Sequence, residues 1–232
     1  MAFTHLHVHT EYSLLDASSK IKELTARAKE LGMDSLAITD HGVMYGVIDF
    51  YRAARENGIK PIIGCEIYVA PGSRFDRENV NGEDRYYHLV LLAENNQGYQ
   101  NLMKIVSKGF VEGYYYKPRV DMELLEQYHE GLIVCSACIG GEVPKKIIND
   151  QLEEAEEAVR WYKNLFGDDY YLELQRHKAT VPRANHEAYP LQQKANAKLL
   201  ELARKYDIKV ICSNDVHFVD EENACLLYTS DA

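Results

Sequence analysis

Short apolar segments alternate with amphipathic ones along the chain, and this alternation limits the possible folds more than any other feature of the sequence. Apolar runs predict seven strands, at residues 3–9, 34–39, 61–69, 86–93, 132–136, 170–175 and 208–213. Helical periodicity predicts six helices, at residues 19–31, 43–57, 97–108, 121–129, 151–166 and 185–206. Strands separated by helices are typical of α/β proteins with a parallel sheet. We therefore expect an α/β fold, as an open doubly wound sheet or as a closed barrel.

Composition excludes several classes of protein. The 232 residues are 46% hydrophobic and 27% charged, which is typical of a folded globular chain. No apolar run approaches the ~20 residues that cross a bilayer, so we expect no membrane partner. The odd number of cysteines, five, favours a reducing cytoplasm over a disulfide framework. The net charge of −10 gives no sign of a basic surface for duplex DNA, although bound metal ions could still attract phosphate esters.

Histidines and carboxylates collect at the ends of the predicted strands. Side chains at positions i and i+2 of a strand share a face, and two motifs have this spacing: His7 with His9, and Asp215 with His217. Asp40 and His41 follow the second strand. In a parallel barrel the carboxyl ends of the strands converge on one rim. These motifs therefore predict a shared metal site at that rim.

Two further side chains fit the same site. Glu66 lies within an apolar run, where an unpaired charge would be costly. Cys138 follows the fifth predicted strand and is the best candidate for a thiolate ligand. Imidazole, carboxylate and thiolate groups are ligands for zinc, manganese or iron. Each motif also has a simpler interpretation, since Asp40 could cap a helix and Glu66 could pair with a lysine.

Residues 113–119, Gly-Tyr-Tyr-Tyr-Lys-Pro-Arg, combine aromatic rings with the cations Lys117 and Arg119. We expect residues 114–120 to be irregular. Aromatic rings beside cations suit single-stranded nucleic acid. A tyrosine-rich loop packed over the mouth of the barrel explains the stretch equally well.

The motifs together resemble a known family. The segment from His5 to Asp16, HLHVHTEYSLLD, closely resembles the opening of bacterial DNA polymerase III alpha subunits, which is their polymerase and histidinol phosphatase (PHP) domain. Further similar motifs are AITDHG at residues 37–42, GCE at 64–66, YYKPR at 115–119, LELQRH at 172–177 and SNDVH at 213–217. The likeness runs in order from residue 3 to about residue 224.

The resemblance implies a distorted (β/α)7 TIM-like barrel, the PHP fold, with two or three divalent metal ions (Zn, Mn or Fe). Carried over by motif, the metal ligands are His7, His9, Asp16, His41, Glu66, His88, Cys138, Asp215 and His217. In the expected grouping His7, His9 and Asp215 hold one ion, Asp16 and His41 a second, and His88, Cys138 and His217 a third, with Glu66 as the bridge. Asp16 enters this set through the resemblance alone.

The resemblance also implies a function. We expect a metal-dependent phosphoesterase, a 3′–5′ exonuclease that uses a metal-bound water on the DNA 3′ end or another phosphate ester. Asp40 and His177 are candidate catalytic residues, and Arg176, Lys117 and Arg119 are candidate substrate contacts. The alternatives are a non-catalytic metal-stabilised docking module of the polymerase and a free-standing small-molecule phosphatase.

We expect one domain over residues 1–232, at the N-terminal end of a longer polymerase chain. The last eight residues, CLLYTSDA, do not look like the continuation of the family, and the polymerase domains are absent. The chain alone is therefore not expected to extend DNA. The expected partners are the remaining polymerase III alpha domains and other replisome subunits, in the cytoplasm.

Overall fold

The described part of the chain contains eight strands and seven α-helices. In this computed structural model it comprises residues 3–78, 85–178, 188–220 and 223. The strands are β1 (Ser35–Ile38), β2 (Lys60–Val69), β3 (Tyr87–Ala93), β4 (Tyr114–Tyr115), β5 (Lys117–Val120), β6 (Leu132–Cys135), β7 (Tyr170–Gln175) and β8 (Lys209–Ser213). The helices are α1 (Ile21–Glu30), α2 (Val47–Glu56), α3 (Asn96–Val111), α4 (Met122–Tyr128), α5 (Glu142–Ile148), α6 (Leu152–Phe166) and α7 (Ala188–Tyr206). Six of the seven predicted strands and all six predicted helices are present, although the predicted start of the last helix, residue 185, lies outside the described residues.

Two local secondary-structure predictions were wrong, and one helix was not predicted. Residues 3–9 form no regular strand and make one isolated bridge, between Val8 and Val216. Residues 114–120 form the antiparallel hairpin β4–β5 and are not irregular. The short helix α5 was not predicted; its Pro144 lies in the first helical turn, where proline is tolerated.

The sheet is mixed, whereas an entirely parallel sheet was predicted. Its strand order is β4-β5-β2-β3-β6-β7-β8, and β1 pairs with the first half of β2. Strand β3 runs antiparallel to both of its neighbours, β2 and β6. The described part of the connection from β2 to β3 contains no helix, so β3 returns directly beside β2 in the opposite direction.

Segment 5–9 joins the two ends of this sheet. On the β1 side, the amide of Thr39 donates to the carbonyl of Val8 at 2.8 Å. On the β8 side, the amide of His9 donates to the carbonyl of Val216 at 2.7 Å. The sheet thus curls into a TIM-like barrel, which confirms the predicted fold class.

Alternation along the strands separates two hydrophobic layers. On β3, Leu89 and Leu91 belong to the large core between the sheet and the helices, while Val90 and Leu92 belong to a smaller core with Cys135. A third core packs α1 and α2 against β1. Within the described residues, no helix has both the length and the apolar character needed to cross a membrane.

Candidate metal centre

The nine predicted metal ligands lie close together at one rim of the barrel. Segment 5–9 carries two of them, the loop before α1 carries one, and the others lie on β2 and β3 or follow β1, β6 and β8. Because β3 is reversed, its contribution to this rim comes from the start of the strand, where His88 pairs with Tyr68 near the end of β2. The shared rim predicted from the strand ends is therefore present in the structure.

Glu66 lies at the centre of the cluster, and its side chain is 1% exposed. Its Oε1 atom is 3.3 Å from His7 Nε2 and 3.1 Å from His88 Nδ1. Its Oε2 atom is 3.2 Å from His9 Nε2 and 2.8 Å from His41 Nδ1. Each carboxylate oxygen therefore faces a different pair of imidazoles, as a ligand that bridges two ions would.

Two other carboxylates complete the cluster. Asp215 Oδ1 is 3.2 Å from both His7 Nε2 and His9 Nε2. Asp16 Oδ2 is 2.5 Å from His41 Nε2 and 3.2 Å from His217 Nε2.

The position of His217 corrects the expected grouping. His217 was grouped with His88 and Cys138, but its Nε2 lies 3.2 Å from Asp16 Oδ2, and its carbonyl accepts from the amide of Ser18, two residues beyond Asp16. Cys138 Sγ is 3.6 Å from His88 Nδ1 and 3.8 Å from Glu66 Oε1.

A buried carboxylate orients His7. Glu173 Oε1 lies 2.7 Å from His7 Nδ1, on the side of the ring that faces away from Glu66 and Asp215. Gln175 Nε2 donates to the same carboxylate at 2.9 Å, and the hydroxyl of Ser213 also donates to it. A carboxylate that accepts the Nδ1 proton fixes the tautomer and leaves the Nε2 lone pair for a metal.

A second network orients His9. Asp40 accepts hydrogen bonds from the Thr10 amide at 2.6 Å, the Thr10 hydroxyl at 2.8 Å and the Ser13 hydroxyl at 2.7 Å. Because Ser13 donates its proton to Asp40, its oxygen accepts from His9 Nδ1 at 3.1 Å. Asp40, predicted as a catalytic residue, is buried, and its carboxylate accepts only from Thr10 and Ser13 among these residues, in the stretch that follows His9.

Left-handed backbone conformations occur beside the cluster. Three non-glycine residues have positive φ at or next to a candidate ligand: Leu15 (66°), Ala137 (62°) and Asp215 (47°). Such conformations cost about 1 kcal/mol or more each and persist where surrounding contacts enforce them. The backbone strain at these positions therefore lowers the free energy of unfolding, and it accompanies the placement of Asp16, Cys138 and Asp215.

The cluster concentrates opposite charges. Burial lowers the pKa of His41, but the charge of Glu66, together with the hydrogen bond and charge of Asp16, outweighs burial and raises this pKa to about 10. Burial raises the pKa of Glu66, but His88, His7 and His41 hold it well below its usual value. With no cation present, a proton on His41 therefore balances part of the carboxylate charge.

Cys138 behaves as a neutral thiol in the same surroundings. Burial, followed by the charges of Glu66 and Asp215, raises the pKa of Cys138 well above its usual value. Only a nearby cation would make its thiolate stable at neutral pH.

The donor atoms fit divalent cations. Among the buried side-chain atoms that make no hydrogen bond within the described part of the chain, five belong to candidate ligands: His7 Nε2, His9 Nε2, His41 Nδ1, Glu66 Oε2 and Asp215 Oδ1. All five face the interior of the cluster, and an unsatisfied buried polar atom costs about 1–3 kcal/mol. A cation between them would satisfy these atoms with the ligand types that zinc, manganese and iron take.

Two of the predicted substrate contacts, Arg119 and Arg176, make hydrogen bonds within the protein. Arg119 is 4% exposed and donates to the backbone carbonyls of Gly113, Arg74 and Asp76, so it is not available to a substrate. Arg176 is exposed but donates to the hydroxyl of Tyr189 at 2.9 Å, on α7.

The other two candidates remain close to the cluster. Burial lowers the pKa of His177, whose Nδ1 is 2.9 Å from Gln192 Nε2 and whose Nε2 has no hydrogen-bond partner among the described residues. Lys117 Nζ lies 5.4 Å from the ring centroid of Tyr68, a ring that stacks on His41 at 5.9 Å.

Glu173, Gln175 and Ser13 were not predicted as site residues. A signal for Glu173 was present, because it is a charged residue within the apolar strand β7. The same argument that selected Glu66 applies to it. For Ser13, no sequence spacing indicates that its hydroxyl lies between His9 and Asp40.

Comparisons with known proteins agree with this geometry. Residues 5–177 match the family described as PHP domain. The chain is 47% identical over 225 residues to the DNA polymerase III subunit alpha of Treponema pallidum and 44% identical over 222 residues to that of Borreliella burgdorferi. These alignments cover 97% and 96% of the chain, which spans 18% of the length of each relative.

The fold also resembles a solved structure, a protein from Bifidobacterium adolescentis assigned as a metal-dependent phosphoesterase. The TM-score is 0.54 at 15% identity, and the alignment covers 98% of this chain and 96% of the other. At that identity the likeness concerns the fold alone. Since the family match covers well over half of its length, the chain belongs to the PHP domain family.

Proposed function

We propose that the chain is the PHP domain of a bacterial replicative DNA polymerase alpha subunit, and that it hydrolyses phosphodiesters at DNA 3′ ends with two or three divalent ions. The observation that carries this proposal is the cluster of imidazoles, carboxylates and one thiol, in which five buried atoms have no hydrogen-bond partner among the described residues. The similarity to DNA polymerase III alpha subunits supports the replicative context.

The contacts divide the ligands into three overlapping groups. By these contacts His7, His9 and Asp215 form one group, Asp16, His41 and His217 a second, and His88 with Cys138 a third. Glu66 contacts both histidines of the first group, His41 of the second and both members of the third. Divalent ions in such a site neutralise phosphate and lower the pKa of water.

The protein side chains supply orientation and access. Glu173 and Ser13 hold the Nδ1 atoms of His7 and His9, so both Nε2 lone pairs point into the cluster. The inner ligands His7, His9 and Glu66 are at most 1% exposed, whereas the side chain of Asp16 is 52% exposed. A phosphate would therefore approach from the Asp16 side, and solvent is excluded from the opposite side.

The replicative context implies the rest of the proposal. We infer one domain of a longer polymerase chain, which works beside the other polymerase domains and replisome subunits in the cytoplasm. Within that assembly the domain would receive a 3′ end from the polymerase.

One observation favours a second candidate, a non-catalytic module stabilised by metal. The ligands come from segment 5–9 and from chain positions at or after β1, β2, β3, β6 and β8, so bound ions would link most of the barrel. Such a cross-link would stabilise the fold even without hydrolysis.

The deciding experiment compares the unaltered chain with His9→Ala and with His129→Ala, a histidine beyond α4 whose Nδ1 contacts the carbonyl of Glu126. Protein purified without a metal-affinity tag is analysed for metal content, then tested for hydrolysis of 3′-labelled single-stranded DNA and of a small phosphate monoester. We expect His9→Ala to lose metal and DNA hydrolysis, and His129→Ala to retain both.

The remaining outcomes separate the candidates. Bound metal and a chelator-sensitive Tm without hydrolysis would establish the structural module instead. Hydrolysis of the monoester without attack on DNA ends would identify a small-molecule phosphatase. Equal DNA hydrolysis by His9→Ala would contradict the proposed site.

A further inference from the structure

The hairpin β4–β5 places an exposed aromatic ring at a strained position near the metal centre. Tyr115 pairs with Lys117 across the turn, so Tyr116 alone forms the tip of the hairpin. Tyr116 has φ of +62° and is 60% exposed. Glycine or asparagine would adopt this conformation at lower cost, and burial does not explain the choice of a large ring.

Cations accompany this ring and its neighbours. The guanidinium of Arg85 lies 4.1 Å from the centroid of the Tyr116 ring. The Nζ of Lys117 lies 5.4 Å from the centroid of the Tyr68 ring. Both cations are on exposed residues, in contrast to Arg119 of the same hairpin, whose guanidinium is turned inward onto backbone carbonyls.

The rings continue from this tip to the metal centre. Tyr86, which follows Arg85 in the chain, packs edge-on against Tyr68 at 4.8 Å. Tyr68 stacks on His41 at 5.9 Å and packs edge-on against His88 at 5.4 Å. The chain link between Arg85 and Tyr86 therefore connects the ring at the tip of the hairpin to a row of rings that ends at two of the candidate ligands.

We propose that Tyr116, Arg85 and Lys117 form a binding ridge for single-stranded DNA, in which a base stacks on the exposed ring of Tyr116 while phosphates pair with the two cations. Stacking platforms beside cationic side chains bind single strands with little sequence preference, because every base has a π-face. The inference rests on the proposed function for one feature, the 3′ end at the metal centre, from which the ridge would hold the preceding nucleotides.

The substitution Tyr116→Gly separates DNA binding from stability, because it removes the ring and also relieves the backbone strain at this position. Tyr116→Gly should leave Tm equal or higher, yet weaken the binding of single-stranded DNA by roughly 5- to 150-fold, the factor that corresponds to losing one base–aromatic stack. Tyr114→Ala is the matched control: this tyrosine is in the same hairpin, is 55% exposed and stacks on Phe110. We expect the control to bind DNA as the unaltered chain does.

Binding is measured by fluorescence anisotropy with a labelled oligothymidylate whose 3′-terminal linkages are phosphorothioates, which slow cleavage. As a second variant, Lys117→Gln should lower the slope of log K against log salt concentration by about 0.7, the value for one phosphate contact on a single strand.

The outcomes are distinguishable from those of the hydrolysis experiment. Equal binding by Tyr116→Gly, Tyr114→Ala and the unaltered chain would overturn the ridge, as would tighter binding of a blunt duplex than of the single strand. Binding that depends on Tyr116, in a chain that hydrolyses no DNA, would support the ridge and refute the proposed function.

Discussion

The carboxylate behind His7 offers a sharp quantitative test of the metal centre. Glu173 accepts a hydrogen bond from His7 Nδ1 at 2.7 Å, and Glu173→Gln retains an acceptor oxygen but removes the charge. A hydrogen bond to a charged group contributes about 1.5–3 kcal/mol and a neutral one about 0.5–1.5 kcal/mol. The difference, about 1–2 kcal/mol, predicts metal affinity about 5- to 30-fold weaker, near the range seen when such outer partners of metal ligands are changed.

The assay is competition for zinc or manganese against a chromophoric chelator at constant pH. Glu142→Gln is a matched control, because Glu142 is also buried and accepts from Lys146 Nζ at 2.6 Å and from the Tyr162 hydroxyl at 3.0 Å, outside the cluster. The control should lower Tm without changing metal affinity. If folded Glu173→Gln bound metal as tightly as the unaltered chain, the orienting role of Glu173 would be refuted.

Three further predictions concern the same centre. Asp40→Asn should lower the free energy of unfolding by about 1–3 kcal/mol in urea titrations, because the hydrogen bonds from Thr10 and Ser13 lose a charged acceptor; an unchanged value would contradict the role of that network. In metal-free protein, burial lowers the pKa of His41 but the neighbouring carboxylates raise it to about 10, against 6.5 as the ordinary value. Its contribution to stability is therefore complete below pH 6.5 and is lost as pH rises toward 10, so thermal melts in chelator should show Tm falling across that interval. Cys138→Ser should weaken the binding of zinc more than that of manganese in the same chelator competition, since thiolate is the softer ligand; equal losses for both metals would place Cys138 outside the coordination sphere.

The sequence alone predicted candidate metal ligands where a charged or imidazole side chain stands in a position that few other roles explain. Glu66, His7 and His9 are buried, where charge or imidazole is costly without a partner, and the pair at positions 215 and 217 has the same spacing as the pair at 7 and 9. Strand ends then predicted their meeting point correctly, although segment 5–9 is not a regular strand, because alternation of side chains along extended backbone suffices.

Other features depend on tertiary contacts that local sequence does not encode. Strand β3 is reversed because the described part of the connection that precedes it contains no helix. As a result, the residue of β3 that reaches the metal centre, His88, lies at the start of the strand and not at its end. The hairpin at residues 114–120 lacks the glycine or asparagine that marks a tight turn, and Tyr116 adopts the left-handed conformation instead. Arg119 could be recognised as a structural residue only from the carbonyls that surround its guanidinium.

The most direct test of the metal centre is anomalous diffraction from crystals of the metal-loaded chain, recorded at the absorption edge of the bound metal. We expect two or three anomalous peaks inside the cluster, with the carboxylate of Glu66 between two of them. The Nε2 atoms of His7 and His9 should lie about 2.0–2.2 Å from one ion. Ions bound elsewhere on the protein, with the cluster left empty, would contradict the account.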